Sequence, residues 1–350
     1  MNREEKIKLF KDVFAPKKDE KILFLVDTPH DYIKDNEKWK DRRVMAKEWY
    51  DTFKELGKKE GFNVDYKEYA ATGRHNSPVP EEILEIVKAY NLVLAMTEYS
   101  MTSSLIPLCR AKGSITRAAS MPTIEKRMEQ TALQADYTEV QHYAYSLERY
   151  LNKANSAEIL FSTGDRLFID LRNRKAHADT GECKNPGQSI NFPSGEACKV
   201  PYEAATDEID EYGESKTEGV MPVAYEKELM KFIIKNNKIN EVIGNGRKAE
   251  QMRVFFSKDD SHRNIAELGI GCNPKAVVTG NILEDEKVGG LHIAYGMSTQ
   301  LGGKINSDMH QDICYPKGLP VEATTLTLNY KDGSKTDIIH KAKLRYDLLE

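Results

Sequence analysis

No Cys-x-x-Cys pair occurs anywhere in the 350 residues. The five cysteines, Cys109, Cys183, Cys198, Cys272 and Cys314, are odd in number and scattered. Both facts argue against a disulfide framework and against a structural zinc knuckle. Long apolar runs are missing as well. Ile22 to Val26 is among the longest, far short of the ~18–20 residues that cross a bilayer. The opening Met-Asn-Arg-Glu-Glu-Lys lacks the apolar segment of a secretory signal. Basic charge is not in excess: 51 Lys and Arg stand against 55 Asp and Glu, a formal charge of −4. A nucleic-acid binder would show a cationic balance. The expectation is a cytoplasmic protein with neither a nucleic-acid nor a membrane partner.

Strands and helices alternate through the first half. Lys21–Asp27 is a short, continuous apolar run, the pattern of a strand buried on both faces. A helix is predicted over 42–60, where Val44, Trp49, Phe53 and Leu56 recur at helical spacing. Asn63–Tyr69 alternates as a strand, Pro80–Ala89 opens with Pro-Glu-Glu as helices do, and Leu92–Met96 and Ile115–Ser120 read as further buried strands. Such strand–helix–strand units predict a parallel sheet with helices on both faces. A long helix is predicted over 123–153.

Beyond it the texture changes to short strands and many glycines. Ile159–Asn173 alternates about a Gly164-Asp165 turn. Helices are predicted over Tyr225–Asn236 and Arg247–Phe256. The fold expected is α/β, with an N-terminal parallel-sheet domain (residues 1–153) followed by an antiparallel α+β metal-binding domain (154–350). The acidic stretch from Asp207 to Glu218 reads as a solvated loop, or as an electronegative rim over a cationic substrate.

The chemistry concentrates between Asn264 and Tyr315. His310 and Asp312 are two residues apart, so on a strand both leave the same face. His292 is followed at the same parity by Ala294 and Gly296, and Glu267 by Gly269 and Gly271. Small neighbours let such side chains approach one ion, whereas large ones would hold them apart. Imidazole with carboxylate suits zinc, cobalt, manganese or ferrous iron. Asp285-Glu286-Lys287 reads as a turn with a local ion pair, and Cys198 and Cys272, near Glu196 and Glu267, as small buried hydrophobes.

These blocks, with Leu94–Thr102, Arg117–Pro122, Asn191-Phe-Pro-Ser-Gly-Glu196, Asn281–Lys287 and Gly302-Gly303-Lys304, resemble the thermophilic aminopeptidase family, the aminopeptidase T and S type metallopeptidases. The resemblance runs from about Lys21 to Ile313. It implies a homodimeric hydrolase in which two divalent ions (Zn, Co or Mn) activate a water that attacks the N-terminal peptide bond. Glu196, Glu267, His292, His310 and Asp312 stand at the positions of that family's metal ligands, with Glu267 as the bridging, catalytic carboxylate. The family's tyrosine falls at Thr299 here, and the nearby Tyr295 is expected to face away from His292. More weakly, the chain is similar to 2,5-dihydroxypyridine dioxygenase, a mononuclear ferrous enzyme with a histidine at the place of Glu267 and the same closing His-x-Asp. That resemblance implies the alternative, an iron-dependent ring-cleaving dioxygenase acting on a small molecule. A non-catalytic binding protein of the same architecture is the third reading.

Overall fold

The computed structural model describes residues 1–350, which divide into two compact units. The first comprises residues 1–141, 179–194 and 274–277; the second comprises 142–178, 195–273 and 278–350.

A five-stranded, all-parallel sheet organises the first unit, in the order Asn63–Ala70, Lys21–Thr28, Leu92–Ala95, Arg117–Ser120, Ser189–Asn191. Leu92–Ala95 and Arg117–Ser120 are buried along their whole length, as expected where helices cover both faces. The helix Glu37–Glu60 begins earlier than its apolar repeat, because Asn36 accepts from the Trp39 backbone N–H and caps it. It ends at Gly61, whose φ of +85° an L side chain rarely adopts. No helix of the chain is long and apolar enough to cross a membrane.

The long helix expected over 123–153 is shorter. Two 3-10 turns, Lys126–Gln130 and Ala132–Gln134, precede the helix Tyr137–Lys153. Asp136 stands at the break and accepts from the Thr138 backbone N–H, the cap geometry that starts a helix.

In the second unit an antiparallel eight-stranded sheet includes the hairpin Ala154–Phe161/Arg166–Asp170, turned at Gly164. The helix expected over 225–236 is a strand, Glu228–Lys235, paired antiparallel with Glu218–Tyr225. Its burial has period two: Met230, Phe232 and Ile234 enter the core while Leu229 is exposed. The run of Phe and Ile favours a strand in this setting, and Asn236-Asn237, both at positive φ, turn it into Lys238–Ile243.

The other sheet of this unit carries the strands Glu196–Lys199, Ile265–Gly271, Gly290–Gly296 and His310–Cys314, each antiparallel to the next. One of its faces supplies Ala197, Leu268, Ile270, Leu291, Ile293 and Tyr295 to the core. Tyr295 packs against Phe232 and Phe256 there, so it does face away from His292. The opposite face is polar.

Candidate metal centre

Cross-strand register assembles that polar face. Gly271 pairs with Glu196 and Gly290; Gly269 with Cys198 and His292; His292 with Cys314; Ala294 with Glu267 and Asp312; Gly296 with His310. Residues paired across a ladder share a face, as do alternate residues along a strand. Hence Glu196, Glu267, His292, His310 and Asp312 all project to one side, and small residues sit between them. Gly269 is where this matters most. A Cβ built there would lie 1.9 Å from His292 Nε2, so the imbedded imbalance of large and small side chains is what admits the ring. At Gly296 (φ +103°) a Cβ would strike the Met309 carbonyl oxygen at 2.4 Å.

Two groups of convergent donors result, Glu267/His310/Asp312 and Glu196/Glu267/His292. Glu267 belongs to both. Its Oε2 lies 3.1 Å from His310 Nε2, and its Oε1 lies 3.4 Å from His292 Nε2. His310 Nε2 is 3.6 Å from Asp312 Oδ1, and His292 Nε2 is 3.2 Å from Glu196 Oε2. His310 Nδ1 is 2.6 Å from the Met297 carbonyl oxygen. A carbonyl only accepts, so Nδ1–H donates, which leaves Nε2 to serve as a ligand and fixes the ring.

Without a metal, the carboxylates of this face are matched only by protons on the two imidazoles and by one ammonium. Glu267 and Asp312 face the imidazoles, while Lys287 Nζ lies 2.7 Å from Glu196 Oε1 and 2.9 Å from Glu286 Oε1. Burial opposes ionisation of Glu267, yet His292 and His310 hold its carboxyl well below the usual range. Glu196 is lowered in the same way against burial, chiefly by the charge of Lys287. Burial pushes Glu286 up to about 8, with Glu196 and Asp312 adding to the rise. Both imidazoles are driven well above their ordinary value: burial opposes this, but for each the facing carboxylates prevail. A divalent ion can take the place of those protons. His292 Nδ1 is buried without a hydrogen-bond partner. Convergent Nε2 and carboxylate oxygen atoms, imidazole protons that an ion can replace and an unpartnered buried ring nitrogen together fit a metal ion.

All five residues singled out in the sequence thus meet on one sheet face. Thr299 does not join them; it is exposed and opens a 3-10 turn, Thr299–Leu301. Cys198 and Cys314 share the site face, whereas Cys272 packs into the core. Lys287 and Glu286 were missed: the local ion pair exists, but the lysine also reaches Glu196, 91 positions away in a chain of separate strands. The available signal was a lysine just before a Gly-Gly-Leu-His strand, a place where a free charge would be buried. The acidic stretch is a loop with a four-residue helical turn, Ile209–Tyr212. Its Asp207 pairs with Lys304 and its Glu208 with Arg174, so these carboxylates are already matched.

Comparisons with known proteins bear on what this centre does. A family model for 2,5-dihydroxypyridine 5,6-dioxygenase (NicX) matches residues 55–331. Among solved structures, the chain is similar to 2,5-dihydroxypyridine dioxygenase from Pseudomonas putida KT2440, at 15% identity and a TM-score of 0.69, covering 99% of this chain and 98% of that one. It is also similar to wild-type AmpT from Thermus thermophilus, at 15% identity and a TM-score of 0.60, with 98% of each chain covered. No curated protein matches by sequence. At these identities the two structures speak for the fold. The family match overturns the aminopeptidase reading drawn from the sequence, and the ring-cleaving alternative is the one it supports. The physical reason for the misreading is that Glu196, Glu267 and His292 converge as a second donor group beside Glu267, His310 and Asp312. The chain belongs to the 2,5-dihydroxypyridine 5,6-dioxygenase family.

Proposed function

We propose that this protein is an iron-dependent, ring-cleaving dioxygenase acting on a hydroxylated aromatic or heteroaromatic ring of the dihydroxypyridine kind. The observation that carries the reading is the Glu267/His310/Asp312 group, with His310 oriented by Met297, in a chain whose family match spans it. One imidazole and two carboxylates would hold a single ferrous ion, a variation on the two-histidine, one-carboxylate facial set. When bound, such an ion supplies adjacent positions for dioxygen and a ring hydroxyl.

The protein groups do the rest. Asp312 and Glu267 would give a ferrous ion a matched charge, Glu267 from a buried position. A ring hydroxyl that binds must give up its proton. Glu196 Oε2 is the acceptor, and His292 Nε2, 3.2 Å away, shares that proton. Lys287 holds Glu196 in place.

The test is oxygen uptake by protein loaded anaerobically with ferrous iron, using 2,5-dihydroxypyridine and dihydroxybenzenes as substrates. The expected result is one dioxygen consumed per ring lost from the ultraviolet spectrum. Uptake with no substrate of this panel, in protein shown to carry iron, would overturn the reading.

A further inference from the structure

The centre offers two groups of donors, yet one contains a built-in cation. We infer that the ammonium of Lys287 takes the role of a second metal ion, so that the Glu196/Glu267/His292 group stays free of metal and the centre is mononuclear. The inference rests on the proposal that Glu267, His310 and Asp312 hold one ion.

Lys287 is fully buried, and its Nζ lies 2.7 Å from Glu196 Oε1 and 2.9 Å from Glu286 Oε1. Its anchorage is covalent and short. Asn281 caps the turn Ile282–Asp285 by accepting from the Leu283 N–H. Asp285 accepts from the backbone N–H groups of Thr279 and Gly280, and the Asn273 N–H donates to the Lys287 carbonyl. The lysine therefore has little freedom to withdraw. Three residues later the strand Gly290–Gly296 begins and delivers His292.

Two consequences follow for a divalent ion in the Glu196/Glu267/His292 group. One oxygen of Glu196 is already committed to an ammonium, so that carboxylate can offer only the other. Any ion accepted there would also stand next to a fixed positive charge in a buried setting, where repulsion is weakly screened. The Glu267/His310/Asp312 group has no such neighbour among its own ligands: His310 faces a backbone carbonyl on its far side. Lys287 thus selects between two otherwise similar sets, and it leaves Glu196 Oε2 available to a substrate proton instead of a metal.

Manganese(II) is the probe, because isolated and paired ions give different electron paramagnetic resonance spectra. Metal-free protein would be titrated with Mn(II) and bound metal counted per chain for wild type, Lys287→Met, and Lys287→Met combined with Glu196→Gln. The expected counts are one, two and one, with a spin-coupled signal only in the single variant. Glu196→Gln alone, which keeps the lysine, is expected to hold one ion, and this arm still tests the inference if Lys287→Met does not fold. Two ions in wild type, one ion in a folded Lys287→Met, or loss of the ion in Glu196→Gln would each overturn it. One bound ion without ring cleavage would instead defeat the dioxygenase proposal and leave the role of Lys287 standing.

Discussion

Each unit of the chain buries a cluster of charge, and the two are solved differently. In the first unit Arg117 is fully buried among the parallel strands. Its five N–H groups all donate: to Cys183 O, Asn91 O, Phe14 O and both oxygens of Glu20, the latter two at 2.8 Å. A guanidinium has five donors, so nothing there is left over. In the second unit Glu196, Glu267 and Asp312 face His292 and His310, Lys287 pairs with Glu196 and Glu286, and His292 Nδ1 has no hydrogen-bond partner. A satisfied buried network holds a fold together; an incomplete one whose ligand-type atoms converge is suited to take an ion. Burial and charge alone do not separate the two clusters. Completeness does.

That contrast can be broken most severely at Glu267, which faces both imidazoles. Glu267→Gln keeps the volume and removes the charge, and it is expected to lower metal affinity and ring cleavage by more than about a hundredfold. Isothermal titration with Mn(II), beside an oxygen electrode trace of the iron-loaded variant, checks both. Thermal stability should change little, since the network was incomplete before the substitution.

The opposite pattern is expected for Glu20→Gln. Breaking a buried, bidentate pair should cost about 3 kcal/mol of stability, with metal binding per folded chain unchanged, as read by denaturant titration. Arg117 holds the Glu20 carboxyl below its ordinary value although burial opposes it. A carboxylate lowered in the folded state contributes stability that is present above its unfolded pKa, near 4.5, and is lost as the pH falls through its lower folded value. Wild type should therefore lose stability on acidification over that window, and Glu20→Gln should lose less.

Gly269→Ala sharpens the comparison by adding one methyl group to the site. The Cβ would collide with the His292 ring, so the imidazole must move, and activity or metal affinity should fall about 10–100-fold. At Gly280, where a Cβ meets nothing within 4 Å, only the strain of φ +80° should be felt, a smaller stability cost without loss of metal.

The smallest effect concerns Lys199, on the face of the sheet away from the metal centre. Its Nζ donates to the carbonyls of Leu151 and Ala154, and burial pushes its pKa down to about 8. An amine lowered from 10.5 in the folded state penalises folding while it is charged. Stability should thus rise as the pH passes from about 8 to 10.5. The slope should vanish in Lys199→Met, as melting curves across that range would record.

Much of this was legible in the sequence where one physical rule dominated. Fully buried parallel strands announced themselves as apolar runs, and Leu92–Ala95 lies where its run placed it. Parity along strands put His310 with Asp312 and turned Tyr295 away, because a strand alternates whatever surrounds it. The glycines and Ala294 marked the space beside the ligands for the same reason. Where tertiary context decides, the reading failed. Glu228–Lys235 carries enough apolar residues for either period, and its partner Glu218–Tyr225 settles it as a strand. Lys287 was invisible as a site residue because its partner Glu196 comes from a distant strand. The activity was misjudged because five ligand-type residues on one sheet face form two donor groups, and residue type alone does not tell which chemistry they serve.

The central claim is that the Glu267, His310 and Asp312 side chains hold the reactive metal. Crystals of protein loaded with ferrous iron under anaerobic conditions, measured on both sides of the iron absorption edge, test it directly. The account predicts one anomalous peak per chain, bonded to Glu267, His310 and Asp312, with Lys287 Nζ still against Glu196. A peak on Glu196 and His292 instead, or no peak in iron-saturated crystals, would contradict it.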